Sequence, residues 1–159
     1  MTRRNNSGEV PSSHARGLPL VALAILALVL VGCGGSDSEG ATVSVYVAAP
    51  LCAGAKQELA SHGATAGHFT VAVRCLAPSD DLATDGSNSR RATADSSAVA
   101  TLEPPGPQVK FSRAILESAE VPLVTSTSAS KGMKRILAAI EGAGDSGVRG
   151  TVAAALEPS

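Results

Sequence analysis

Thiol and hydroxyl chemistry make up most of what this chain can offer a substrate or a modifying enzyme. Of its three cysteines, Cys33 closes the sequence Leu30-Val31-Gly32-Cys33, at the end of an uncharged apolar stretch that begins at Leu18. Cys52 and Cys75 follow at a spacing that matches neither a redox pair nor a set of zinc ligands, and no nearby Cys or His completes one. No metal and no cofactor are expected. Thr125-Ser126-Thr127-Ser128 is a run of hydroxyl donors, and Glu103 is a carboxylate able to balance an amine. Asp80-Asp81 are adjacent loop carboxylates that read as facing water. Arg90-Arg91 read as a solvated helix face. No G-x-G-x-x-G and no Walker loop is present.

The surroundings of Cys33 have a definite order. A basic tail with Arg3, Arg4 and Arg16 precedes the apolar stretch, and Gly34-Gly35-Ser36-Asp37-Ser38-Glu39-Gly40 follows the cysteine. This order resembles a bacterial lipoprotein signal peptide. The resemblance implies that Cys33 is lipidated and becomes the first residue of the mature chain. The mature protein is then tethered to the extracytoplasmic face of the cell membrane. The 14 residues from Leu18 to Val31 fall short of the ~20 that span a bilayer and match a secretory apolar region. An uncleaved transmembrane anchor is the alternative. Arg3-Arg4 resemble a folded-export signal only weakly, because polar Asn5-Asn6-Ser7 follow where apolar residues are usual.

The expected organisation is a signal peptide over 1–32, a flexible tether over 33–41 and one domain over 42–159. The leader removes three of the 13 basic and one of the 14 acidic residues, leaving a net charge of −3. No basic patch stands out, so nucleic acid is excluded as an expected partner. An anionic surface is not drawn to anionic lipid, so membrane attachment rests on the acyl chains. Beyond the leader the aromatics are Tyr46, Phe69 and Phe111. That is too few for stacked sugar or nucleobase sites. The core must come from Val, Leu, Ile and Ala, and alanine buries little area. A covalent staple therefore has value, and in an oxidising compartment Cys52 and Cys75 are expected to bridge.

The elements follow from patterning. Thr42 to Ala48 is a β-branched run that reads as a strand buried on both faces, and it ends at Pro50. Ala53 to Ser61 has good helix formers, and Gly63 and Gly67 mark a return loop. Phe69 to Cys75 is a second strand, and about Leu82 to Asp95 is a weak helix. Ala98 to Leu102 is a third strand, followed by Pro104-Pro105-Gly106-Pro107. Phe111, Ile115, Leu116 and Ala119 stand at helical spacing. Val121 to Thr125 is a fourth strand. Met133, Ile136, Leu137 and Ile140 form a stripe at i, i+3, i+4, i+7, with Ser130 as N-cap and Gly142 as the stop. A last helix runs from about Ser146 to Leu156. Four strand–helix alternations predict an α/β fold, a flavodoxin-like three-layer sandwich with a four-stranded parallel sheet. An α+β arrangement with some antiparallel pairing is the alternative.

The stretch Asn88-Ser89-Arg90-Arg91-Ala92-Thr93-Ala94-Asp95, then Ala98-Val99-Ala100, then Phe111 to Thr125 resembles the first lobe of periplasmic binding proteins for branched-chain amino acids. The likeness covers roughly 45–128 and implies a strand order of 2-1-3-4. That order makes the first two strands neighbours, with Cys52 and Cys75 at one sheet edge, where a disulfide is geometrically natural. The family has two lobes and more than twice this length. Its ligand loop after the third strand is replaced here by Glu103-Pro104-Pro105-Gly106-Pro107, and prolines offer no N–H to a carboxylate. The hydroxyl run at 125–128 does match in position and character.

Open α/β sheets bind ligands beyond the carboxyl ends of their strands. The expected ligand-binding residues there are Glu103, Ser126, Thr127 and Ser128; the alternative is that the hydroxyls are loop and N-cap residues of the next helix. His62 and His68 fall at the opposite end of the sheet, too far for the contact a serine–histidine couple needs. The expectation is thus a non-catalytic lipid-anchored protein related to the solute-binding proteins of ABC transporters, binding a small solute such as an amino acid. The alternative is a cell-envelope interaction lipoprotein that keeps the fold and has lost the ligand site. Expected partners are the membrane, through the lipid, a small-molecule ligand, and a transporter or envelope protein.

Overall fold

A computed structural model describes residues 40–157. Cys33, the expected leader and most of the expected tether lie outside the described residues. Five strands and five helices follow in the order β1 Thr42–Val47, α1 Ala49–Ser61, β2 Thr65–Ala66, β3 Phe69–Cys75, α2 Leu82–Ala94, β4 Ala98–Glu103, α3 Val109–Glu117, β5 Leu123–Thr125, α4 Ala129–Glu141 and α5 Val148–Leu156. No helix among them is long and apolar enough to cross a membrane.

The strands form one sheet in the order β2-β3-β1-β4-β5. The three pairings that join β3, β1, β4 and β5 are parallel. Their order is the expected 2-1-3-4. The expectation of a sheet with four parallel strands is corrected in one respect: β2 adds a fifth strand, antiparallel to β3. It pairs Ala66 with Phe69 across a tight turn in which Gly67 takes φ +60°, a conformation open to glycine without a Cβ clash. Two residues are too few for alternation to reveal a strand, so the segment reads as a loop from sequence.

Two separate cores flank the sheet. Val43, Val45 and Val47 of β1 join Leu51, Ala55 and Leu59 of α1, Met133, Ile136, Leu137 and Ile140 of α4, and Val152 and Leu156 of α5. The second core is smaller and holds Tyr46, Leu76, Ala92, Ala98, Leu116 and Val121, under α2 and α3. Strand side chains alternate between faces, so Ser44 and Tyr46 look toward α2 and α3. A register shift opposite Ala98 and Ala100 makes Val99 an extra residue, and both Val99 and Ala100 enter the first core. Beyond that bulge, Leu102 faces α4, while Thr101 and Glu103 face α2 and α3. The buried polar residues Ser44, Thr101 and Glu103, with Ser89 of α2 and Ser112 of α3, therefore all sit in the second layer.

Close approach fixes the helix packing. A Cβ on Gly54 would lie 2.7 Å from Ala129 Cβ, where α1 meets α4. One on Gly132 would lie 2.4 Å from Leu102 Cδ1, where α4 rests on β4. Helix α4 starts earlier than the Ser130 N-cap reading: the cap is Ser128, which accepts from the Lys131 N–H at 3.3 Å. Ser130 instead donates to Glu58 Oε2 of α1 at 2.6 Å. Gly142 is the C-cap, as expected. Cys52 and Cys75 are joined, with Cα atoms 5.6 Å apart. The bond ties the first turn of α1 to the end of β3, because neighbouring parallel strands bring both ends to one edge.

Candidate functional site

At the carboxyl end of the sheet, β1 leads into α1 on one face and β4 leads toward α3 on the other. The strand order reverses between them, which opens a crevice of the kind that ligands use in open α/β sheets. A cavity of about 70 Å³ lies there, lined by residues that include Ala48 and Pro50 on the β1 side and Glu103, Pro104 and Gln108 on the β4 side. Asp85 and Asn88 of α2 close it from above, together with Ser79.

Each wall has a local cause. The Ala48 N–H donates to the Leu102 carbonyl at 2.9 Å, holding the two strand ends together. Pro50 sits in the first turn of α1, where a missing N–H costs nothing. Helix α2 contains Gly86 and Asn88 and is a weak former; side-chain bonds at its N-terminus and its middle tie it down. Asp81 caps it, accepting from the Ala83 N–H at 2.8 Å, the Thr84 N–H at 2.9 Å and the Thr84 hydroxyl at 2.8 Å. Asp81 is exposed, as its loop reading expects, and caps the helix besides; its hydrogen bonds, those of Thr84 first, hold its pKa below the ordinary value. Asn88 accepts from the Ala77 N–H at 3.2 Å and donates to the Ala77 carbonyl at 2.9 Å, pinning the loop after β3.

Glu103 is the chemically distinctive member. It ends β4, it is only 7% exposed, and it faces the α2–α3 layer. Burial pushes its pKa up; the Asp85 carboxylate adds to the rise, while the Ser112 hydroxyl and the Arg113 guanidinium oppose it. A carboxylate in this position gains its charged form when a cation arrives. The cavity is small, with room for a few waters, since one needs on the order of 10–15 Å³ of space open to a water-sized probe.

The hydroxyl run lies beside Glu103 in the backbone and apart from it in side-chain chemistry. The Ser126 N–H donates to the Glu103 carbonyl at 3.0 Å. Ser126 Oγ donates to the Ser128 carbonyl at 2.8 Å and accepts from the Ser128 N–H at 3.1 Å. Ser128 Oγ is the cap of α4, and Thr127 is exposed. None of the three lines the cavity with Glu103. The structure thus adds Asp85, Asn88 and Gln108 to Glu103, residues that sequence reading did not single out. Their signal is faint: Asp85 and Asn88 stand at i, i+3 on an otherwise undistinguished helix. His62 Nε2 donates to Glu58 Oε1 at 3.1 Å, and His68 lies 2.6 Å from Asp145.

A second, larger cavity of about 580 Å³ runs along the free edge of β5, bounded by Arg113, Glu120, Pro122, Leu123, Arg135 and Leu156. It is a groove without a buried polar group, so the chemistry of a small-solute site belongs to the smaller one. Among the described residues, no group of His, Cys, Asp and Glu is arranged to hold a metal ion. Comparison with family models, curated proteins and solved structures finds no match to this chain.

Proposed function

We propose that this is a non-catalytic, extracytoplasmic protein, lipid-anchored through Cys33 and related to the solute-binding proteins of ABC transporters. Its α/β domain is read as a flavodoxin-like three-layer sandwich, supported by the two cores on opposite sheet faces. The solute is a small amine-bearing compound whose ammonium head enters the cavity between β1 and β4. One observation carries this: the nearly buried Glu103 carboxylate at the strand-order reversal, with the polar groups of Asp85, Asn88 and Gln108 around the same small space. Titration of the protein with methylammonium, ethylammonium and glycine, followed by calorimetry, tests it. Binding that is lost in Glu103→Gln supports the reading. Equal heats in the variant, or none in either protein, overturn it. Mass spectrometry of the native N-terminus tests the anchor separately: a diacylated Cys33 is expected, and an intact Met1 removes it.

A second reading has its own observation. Pro104, Pro105 and Pro107 leave the loop beside Glu103 poor in N–H donors, which suits a cell-envelope interaction lipoprotein that has kept the fold and lost the ligand site. A transporter or envelope protein is then the partner.

A further inference from the structure

The groove beside β5 has a chemistry of its own. On either side of β5 the Pro122 carbonyl accepts from the Thr101 N–H at 2.9 Å, and the Ser126 N–H donates to the Glu103 carbonyl at 3.0 Å. Successive residues of a parallel strand turn their polar groups to opposite sides. Pro122, Val124 and Ser126 therefore address β4, and Leu123 and Thr125 present their N–H and C=O groups to the open side. β5 is the last strand of the sheet, so four backbone groups stand without a strand partner among the described residues. Such an edge is a template for pairing with another chain.

The charges along the groove state which chain fits. Arg113 and Glu117 of α3 lie 3.7 Å apart, both well exposed at 42% and 64%, and Glu120 follows just beyond the helix. Their order along the strand direction can be read from their neighbours. Helix α3 starts after the carboxyl end of β4, so Arg113, one turn earlier than Glu117, lies nearer that end. The Ala119 carbonyl shares the Arg149 guanidinium with the Ala98 carbonyl, at the start of β4. The α3 wall of the groove is thus positive toward the carboxyl end of β5 and negative toward its amino end; the α4–α5 wall carries one charge of each sign, Arg135 and Glu157. A two-fold axis through Val124 reverses one copy against the other. It sets β5 antiparallel to its twin and brings Arg113 of each copy beside Glu117 and Glu120 of the other. Pro122 and Leu123, both half-buried, supply apolar surface beside the strand.

We infer that the β5 edge is a homodimer interface, in which a second copy of this chain continues the sheet by antiparallel β5–β5 pairing. The pattern is self-complementary only in this orientation; a parallel approach would set like charges together. This inference does not depend on the Glu103 cavity.

Sedimentation equilibrium of the full chain in detergent tests it. The expected result is a dimer that dissociates on dilution. Arg113→Glu alone, and Glu117→Arg with Glu120→Arg, each weaken the dimer about tenfold by placing like charges together, and the triple variant restores it. Thr125→Pro removes one outward N–H without touching the bonds to β4, and weakens the dimer while circular dichroism stays native. A monomer at all concentrations up to about 100 μM, a dimer indifferent to all of these variants, or a triple variant as weak as its parts overturns the inference.

Discussion

Arg149 Nη2 lies 2.8 Å from the carbonyl oxygen of Asp95, a residue 54 positions away in the chain. The same guanidinium donates to the carbonyls of Ala98 at 2.8 Å, Ser96 at 3.1 Å and Ala119 at 3.2 Å. It gathers the last carbonyls after α2, the turn after α3 and the start of β4 into one cationic centre. A positive group is favoured at such helix C-termini, where the backbone dipoles converge. The partly polar second layer is held at this end by one side chain from the opposite layer.

Arg149→Met should therefore cost about 2–3 kcal/mol, because hydrogen bonds to a charged group are worth more than neutral ones and the carbonyls are left unpaired. Arg149→Lys should recover only part of this, since an ammonium cannot reach four acceptors from a planar fork. Urea denaturation of the three proteins measures both effects. Equal stability of wild type and Arg149→Met would mean that water replaces the guanidinium without loss.

The carboxylate of Asp95 supplies the pH dependence. It accepts from the Ser97 hydroxyl at 2.6 Å, the Ser97 N–H at 2.8 Å and the Tyr46 hydroxyl at 2.8 Å. These bonds, that of the Ser97 hydroxyl first, hold its pKa below the ordinary carboxylate value. The folded pKa lies below the unfolded one, so this stability is present above the unfolded pKa and is lost as pH falls through the folded pKa. Asp95→Asn should cost roughly 1 kcal/mol near neutrality, discounted for solvent screening at a half-buried site. It should also flatten the acid side of the stability profile. Melting curves between pH 2 and 7 read both changes.

Glu103 has the opposite sign. Its folded pKa is raised, so the native state binds its proton more tightly than the unfolded chain does. Stability then declines as pH rises from the unfolded pKa through the folded one. Glu103→Gln should leave the protein equally stable or more stable, by about 1 kcal/mol at pH 7, because an amide needs no charge compensation when buried. Stabilisation that coincides with lost amine binding marks a residue retained for binding. A strongly destabilised Glu103→Gln would assign the carboxylate to the architecture instead.

The Cys52–Cys75 bond spans a sequence separation of 23. On the chain-entropy account a loop of that size is worth roughly 3 kcal/mol. Reduction, or Cys52→Ala with Cys75→Ala, should lower Tm by about 10 °C for a domain of this size. Parallel melts with and without reductant check it, and an unchanged Tm in both would show that the reduced chain is already constrained by packing.

Local patterning by itself determined the large elements. The β-branched run of β1, the i, i+3, i+4, i+7 stripe of α4 and the alternation of strands with helices each report burial within one short segment. The order of the four parallel strands was what the resemblance to a solute-binding lobe implied; patterning alone gave the strand–helix alternation and left an α+β arrangement open. What needed the tertiary structure was every assignment that depends on a distant partner. Ser130 looks like a cap until Glu58 of α1 is brought against it. Ser126 and Ser128 look like free donors until the loop folds back on them. Arg149 carries no sequence signal at all, because the carbonyls it collects belong to three other segments. Residue type and spacing announce which face is buried; only the assembled sheet decides which polar atoms meet, since hydrogen bonding is satisfied by position in space and not by position in the chain.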